Sequence, residues 1–170
     1  LVQSHSLDYL KQLDFGSWFS NKFRDQKILT FSEVLKLVHS HVPLSIEIKP
    51  NQKTGIEAAI ENTLLQYNCI DIHEIFSSEH QSVERLSHRN KNIILGFEYD
   101  NQTNSEILSS MNLINSNILH INATHITDSF IRYFHSEDKI VIVNTDNNAD
   151  IYNKLITLGV DCIATNNPEN

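Results

Sequence analysis

The sequence predicts a (β/α)8 barrel in which about six of the eight strands can be counted. Strand-like apolar runs recur at an almost constant spacing, helical segments lie between them, and polar residues collect where the runs end. The runs are "LSIEIK" at 44–49, "CIDIHEIF" at 69–76, "NIILGFEY" at 92–99, "NILHIN" at 117–122, "KIVIVNT" at 139–145 and "DCIAT" at 161–165, starting 25, 23, 25, 22 and 22 residues apart. Strand, helix, strand at that interval means repeated βαβ units and a parallel sheet. A doubly wound sheet would carry a glycine-rich phosphate turn after an early strand. This chain has four glycines, and none forms G-x-G-x-x-G. A barrel needs no such turn and keeps its chemistry at the C-terminal strand ends. Glu47 and Lys49, Ser77 and Ser78, Glu98 and Asp100, Asn122, Asn144 and Thr145, and Thr165 and Asn166 stand there.

The elements follow in order. The chain begins with Leu1 rather than methionine and runs straight into "LVQSHSLDYLKQLDFGSWF", which suggests that a longer chain precedes it. "TFSEVLKLVHSH" starts a helix: Thr30 and Glu33 have the spacing of a capping box, and Val34, Leu35, Leu37 and Val38 follow. His39 and His41 end that helix too close in sequence to share a side. In the first run Leu44, Ile46 and Ile48 alternate with Ser45, Glu47 and Lys49, and Pro50 stops it. "GIEAAIENTLLQY" puts Ile56, Ala59, Ile60, Thr63 and Leu64 on one helical face. His120, inside the fourth run, reads as packed rather than catalytic. "DIYNKLITLG" carries Ile151, Leu155 and Leu158, with Gly159 at the helix-closing position. Cys69 and Cys162 each lie in an apolar run and read as buried free thiols.

Composition narrows the function classes. The chain is 40% hydrophobic and 20% charged, the profile of one soluble globular domain, and the cytoplasm is slightly favoured. Its net charge of −8 and lack of a basic stripe argue against nucleic acid and for small molecules or metal cations. No apolar run has membrane-spanning length, and no signal-peptide pattern stands at the start.

The residues also carry a family likeness. "LDFGSWFSNKFRDQKILTFSEVL" resembles the segment before the third strand in glycerophosphodiester phosphodiesterases, where an LD-x-G-SWF run leads into an I-P-T-L-E-E-V-L helix start. "LSIEIKP" resembles the strand that follows, "IFSS" the family's SF strand end, and "KIVIVNTDNNADIYNKLITLGVDCIATNNPE" its closing β-α-β unit. The likeness spans nearly the whole chain and is strongest at 13–49 and 139–169. It implies an incomplete barrel of the phospholipase C-like phosphodiesterase type, residues 1–170 being one N-terminally truncated domain. The family's opening His-Arg-Gly, Glu-x-Asp and His-Asp motifs, which supply two catalytic histidines and two metal-binding carboxylates, find no match here. "SHRN" at 87–90 sits at a helix end with Asn90 in place of glycine, and "FEYD" at 97–100 is on the wrong strand. Both read as solvated termini.

The resemblance implies metal-dependent hydrolysis of a glycerophosphodiester to glycerol 3-phosphate and an alcohol, with Ca²⁺ or Mg²⁺ as the cofactor. Glu47 would be a metal ligand and Lys49 the catalytic cation facing the phosphate. Phe76, Ser77 and Asn144 would bind substrate, while Thr145 and Asn147 would fix their loop. Bottom-up, Glu47 and Lys49 share a strand face, and a buried carboxylate there would need a cation. The competing reading is a plain ion pair on an exposed edge. Asn144 stands where the family often has the tryptophan of V-W-T-V-N, and Asn166 where it often has the aspartate of T-D-x-P. A small-molecule glycerophosphodiester is the expected partner, and an oligomer is possible. The alternatives are a truncated or degenerate non-catalytic member, or another phospholipase C-like phosphodiesterase.

Overall fold

The computed structural model describes residues 2–38, 41–50, 55–145 and 149–166. The chain forms two compact units, Leu1–Val42 and Pro43–Asn170.

In the first unit, helix α1 (Leu7–Gln12) is capped by Ser6, whose hydroxyl accepts the Tyr9 amide. Helix α2 (Phe31–Val38) begins on the expected capping box. Thr30 Oγ1 accepts the Glu33 amide at 3.3 Å, and the Glu33 carboxylate accepts the Thr30 amide at 2.7 Å. A hydrogen bond from Lys11, then those from Thr30, hold the Glu33 carboxyl down to about 2. Asp14 organises the turn of "LDFGSWF" by accepting the amides of Gly16, Ser17 and Asp25 at 2.8, 2.9 and 3.0 Å. Gly16 is required there, because a Cβ would lie 1.8 Å from the Phe23 carbonyl oxygen.

The second unit is a six-stranded parallel sheet with its strands side by side in chain order. They are β1 (Ser45–Glu47), β2 (Glu74–Phe76), β3 (Ile94–Glu98), β4 (Ile118–Asn122), β5 (Ile140–Asn144) and β6 (Cys162–Ala164). Between them run α3 (Ile56–Gln66), α4 (His80–Arg89), α5 (Asn104–Leu113), α6 (Asp128–Ser136) and α7 (Ala149–Leu158). A doubly wound sheet reverses its order at a switch point. This one never reverses, which is the singly wound order of a barrel wall, here a curled half-barrel.

All six strand runs are present, and one shrinks. Of residues 69–76 only 74–76 pair as strand, because α3 closes on Asn68 in the left-handed region (φ 53°) and the chain turns before β2. The same closure recurs. Asn115, Asp138 and Gly159 are left-handed, and in all four cases the next amide reaches back into the helix. The bonds are Cys69 N–H to Leu64 O, Ser116 to Met111, Lys139 to Phe134 and Val160 to Leu155. This repeated stop aims each chain segment into the strand that follows.

The core lies between sheet and helices. Ile75, Leu95, Phe97, Leu119, Ile121, Val141 and Val143 come from the strands, and Leu64, Val83, Leu86, Ile107, Met111, Ile131, Phe134 and Leu155 from the helices. Two sequence expectations need correction. The buried stripe of α3 is Glu57, Ile60, Glu61 and Leu64, shifted by one position, since Arg85 and Arg89 of α4 pair with the two glutamates at 2.6 and 2.7 Å. Cys69 is buried, but Cys162 is exposed, because it faces away from the helices; both are free. No helix among the described residues is long and apolar enough to cross a membrane.

Candidate active site at the strand ends

Alternation along each strand sends one set of side chains to the helices and the other to the inner face of the sheet. Register groups the inner set: Glu47 lies beside Phe76, Glu98 beside His120, and Asn122 beside Asn144. The residue types that the sequence collects at strand ends therefore share one surface.

Glu47 and Lys49 are on the same side, as expected. Lys49 Nζ donates to Glu47 Oε2 at 2.5 Å. Their side chains are 30% and 69% exposed, so Glu47 is not the buried lone carboxylate that the sequence suggested. Each keeps an accessible polar end, and the ion pair is formed.

Phe76 stacks on His120 with ring centroids 3.9 Å apart and planes 8° from parallel. His120 is buried, as the sequence implied. Its Nε2 bonds Glu74 Oε1 at 2.7 Å, and Glu74 Oε2 accepts the Ser45 hydroxyl at 2.7 Å. This network crosses β3 at Gly96, where a Cβ would stand 2.0 Å from Glu74 Oε1. The glycine is there to let a carboxylate and an imidazole meet over it. Sequence reading missed the trio because its members lie on separate strands. Gly96 in mid-strand was the available signal.

Ser77 is placed differently from a mouth residue. It is fully buried; its hydroxyl donates to the Ile48 carbonyl at 2.6 Å and accepts the Glu79 amide at 3.0 Å. That side chain ties the end of β2 to the residue between Glu47 and Lys49.

Asn144 lines a hollow of about 170 Å³ with Glu98, Tyr99, Asn101, Ile121, Asn122 and His125. Glu98 corrects the expectation of a solvated strand end. Its Oε2 is buried with no hydrogen-bond partner among the described residues. Burial first, and then the nearby charge of Glu47, push its carboxyl above the ordinary value. Asp100, by contrast, is exposed. His80 Nε2 reaches the Glu98 carbonyl at 2.7 Å, and its ring stacks on Phe97. His88 and Arg89 end α4, where Arg89 bonds Glu61, so they take no part in the inner face. His39 and Asn147 lie outside the described residues; His41 and Asn166 are exposed.

A hard divalent cation takes about six oxygen ligands. Among the described residues no group of three or more His, Cys, Asp or Glu is placed to hold one. Glu47 can supply one carboxylate, and that donor set does not by itself fit the ion.

A singly wound parallel sheet with acid, base and amide side chains at its C-terminal strand ends defines a barrel-type α/β architecture with its candidate site at those ends. The chain belongs to the Glycerophosphoryl diester phosphodiesterase family, which matches it over residues 1–170, a family of phosphoric diester hydrolases. It is 29% identical to YhdW of Bacillus subtilis (strain 168), provisionally named a glycerophosphodiester phosphodiesterase, over 99% of this chain and 70% of that protein. Among solved structures, the provisionally named glycerophosphodiester phosphodiesterase of Galdieria sulphuraria aligns with a TM-score of 0.85 at 18% identity, covering 96% of this chain and 67% of that one. An Oleispira antarctica phosphodiesterase, solved in complex with the product sn-glycerol-3-phosphate, aligns with a TM-score of 0.84 at 22% identity and the same coverage. The barrel fold expected from the sequence agrees with these likenesses.

Proposed function

We propose that the inner face of β1 and β2 is the phosphate-handling part of a metal-dependent glycerophosphodiester hydrolase site, in one barrel domain spanning 1–170. The observation that carries this reading is the Glu47–Lys49 pair beside Phe76, at the strand ends of a chain in this family. Lys49, exposed, offers a cation to the phosphoryl oxygens as charge builds on them. Glu47 would supply one of the oxygens that Ca²⁺ or Mg²⁺ needs. The ion, when bound, supplies further charge stabilisation. Phe76 gives an apolar wall for the carbon face of the glycerol phosphate, held flat by His120. Asn144 bonds substrate hydroxyls, and Ser77 keeps the β2 end in place. The bound product of the Oleispira antarctica relative supports a small glycerol phosphodiester as substrate.

The alternative reading is a non-catalytic member that binds without turning over. One experiment separates the readings. The purified chain is mixed with glycerophosphocholine and a divalent cation, and both glycerol 3-phosphate binding and its release from the diester are followed. Lys49-dependent binding is expected under both readings. Release abolished by chelator supports the hydrolase reading, and binding with release below detection supports the non-catalytic one. Absence of both binding and release would overturn the site assignment.

A further inference from the structure

The turn that follows α1 in the first unit presents three aromatic rings to the outside. Trp18, Phe19 and Phe23 are 81%, 70% and 39% exposed. Ring centroids lie 5.8 Å apart between Trp18 and Phe19 and 5.7 Å apart between Phe19 and Phe23, so the three form one patch. Single exposed apolar side chains are ordinary, but a contiguous apolar patch marks a surface that meets a partner. The turn beneath is closely packed. Gly16 lies against the Phe23 carbonyl, and Asp14 gathers the amides of Gly16, Ser17 and Asp25.

Three observations say what covers the patch. The first is hydrogen bonding. Of the twelve residues from Phe15 to Gln26, ten donate their amide within the turn. The Trp18 Nε1–H, the one polar group of that ring, is taken by the Phe15 carbonyl at 2.7 Å. Hydrocarbon supplies no partner for an unmade hydrogen bond, whereas water and protein do. This turn has met its own donors and can enter an apolar medium. The second is charge. Residues 15–27 hold Lys22, Arg24 and Lys27 against Asp25 alone, in a chain of net charge −8. Lys22 Nζ stands 5.7 Å from the Phe23 centroid. Arg85, Arg89 and Arg132 are each ion-paired, while Lys22 and Arg24 have no ion pair among the described residues. The third is size. At about 150–250 Å² each, three rings cover less than the ~800 Å² per partner of a stable protein interface.

We propose that this turn is a docking surface for an anionic lipid–water interface. Trp18, Phe19 and Phe23 enter the boundary between headgroups and acyl chains, and Lys22 and Arg24 meet the lipid phosphates. The rest of the chain is acidic in balance, so an anionic surface attracts this turn and repels the remainder. The attachment is peripheral, since no helix among the described residues is long and apolar enough to cross a membrane.

Trp18 is the chain's one tryptophan, so its fluorescence reports this turn alone. The test titrates the full 170-residue chain with vesicles of phosphatidylcholine, or of phosphatidylcholine and phosphatidylglycerol in equal parts. The anionic vesicles should shift Trp18 emission to the blue, brominated acyl chains should quench it, and high salt should release the chain. Lys22→Gln with Arg24→Gln should weaken binding to anionic vesicles about 25-fold, at roughly fivefold per cation. Phe19→Ser, which keeps the fluorescent ring, should weaken it about tenfold. Both changes fall on exposed side chains, and each gives a loss independently of the other. Leu113→Ser, at a side chain 65% exposed on the second unit, should change nothing. Unmoved Trp18 emission, equal binding to neutral vesicles, unchanged affinity in the double variant, or an equal loss in Leu113→Ser would overturn the proposal. A blue shift that grows with protein concentration without vesicles would overturn it in favour of a second copy of the chain.

Discussion

Gly96→Ala tests the buried network beneath Phe76. The added Cβ would lie 2.0 Å from Glu74 Oε1 and 3.1 Å from both Glu74 Cδ and His120 Cδ2. Glu74 cannot simply step aside, because Ser45 holds its other oxygen at 2.7 Å and its side chain is only 8% exposed. The bond to His120 must stretch or the strands must part. A buried group left without its hydrogen bond costs about 1–3 kcal/mol, and an extra methyl forced into close packing costs about 1–3 kcal/mol, so the variant should lose roughly 2–6 kcal/mol. Urea unfolding at neutral pH measures it. A double-mutant cycle supplies the control. On a Glu74→Ala background the 2.0 Å collision is gone and only the 3.1 Å approach to His120 Cδ2 remains, so the cost of Gly96→Ala should drop to about 1 kcal/mol. A single variant within about 0.5 kcal/mol of the parent, or an equal cost in both backgrounds, would refute the crossing as described.

Two further outcomes follow from buried polar groups. His73 is fully buried, its Nδ1 accepts the Leu44 amide at 3.1 Å, and burial holds its pKa below the ordinary 6.5. The unfolded chain therefore takes up the proton first, so Tm should fall as pH drops below 6.5 and on towards the lowered folded value, and His73→Gln should flatten that slope; an unchanged slope would contradict it. Ser77→Ala removes the donor to the Ile48 carbonyl and the acceptor of the Glu79 amide. It should cost about 1–3 kcal/mol in denaturant unfolding, and a loss under about 0.5 kcal/mol would show that the tie between β1 and β2 is slack.

Most of the wall was legible because period-2 and period-3.6 patterns follow local rules. The capping box at Thr30 and the stop at Gly159 did so for the same reason. Residues 69–73 misled because "CIDIH" is as apolar as a strand, while the left-handed Asn68 turns the chain before pairing begins. Glu57 and Glu61 hid the buried face of α3, since charged residues at helical spacing read as solvated until Arg85 and Arg89 arrive from another helix. The site divides in the same way. Glu47 and Lys49 are two residues apart, so strand alternation alone joins them. Glu98, Asn122 and Asn144 come from three strands, and only the sheet register brings them to one hollow.

The central claim is that Glu47 and Lys49 serve a phosphate and a cation and are more than a surface ion pair. Calorimetric binding of sn-glycerol 3-phosphate, with and without Ca²⁺ or Mg²⁺, to the parent chain, Glu47→Gln and Lys49→Met tests it directly. The divalent ion should strengthen binding to the parent; Glu47→Gln should lose that enhancement, and Lys49→Met should bind about tenfold more weakly in either condition. Binding that ignores the ion and is unchanged in both variants, with stability shifted by no more than about 1 kcal/mol, is what a plain surface ion pair gives, and it would contradict the assignment.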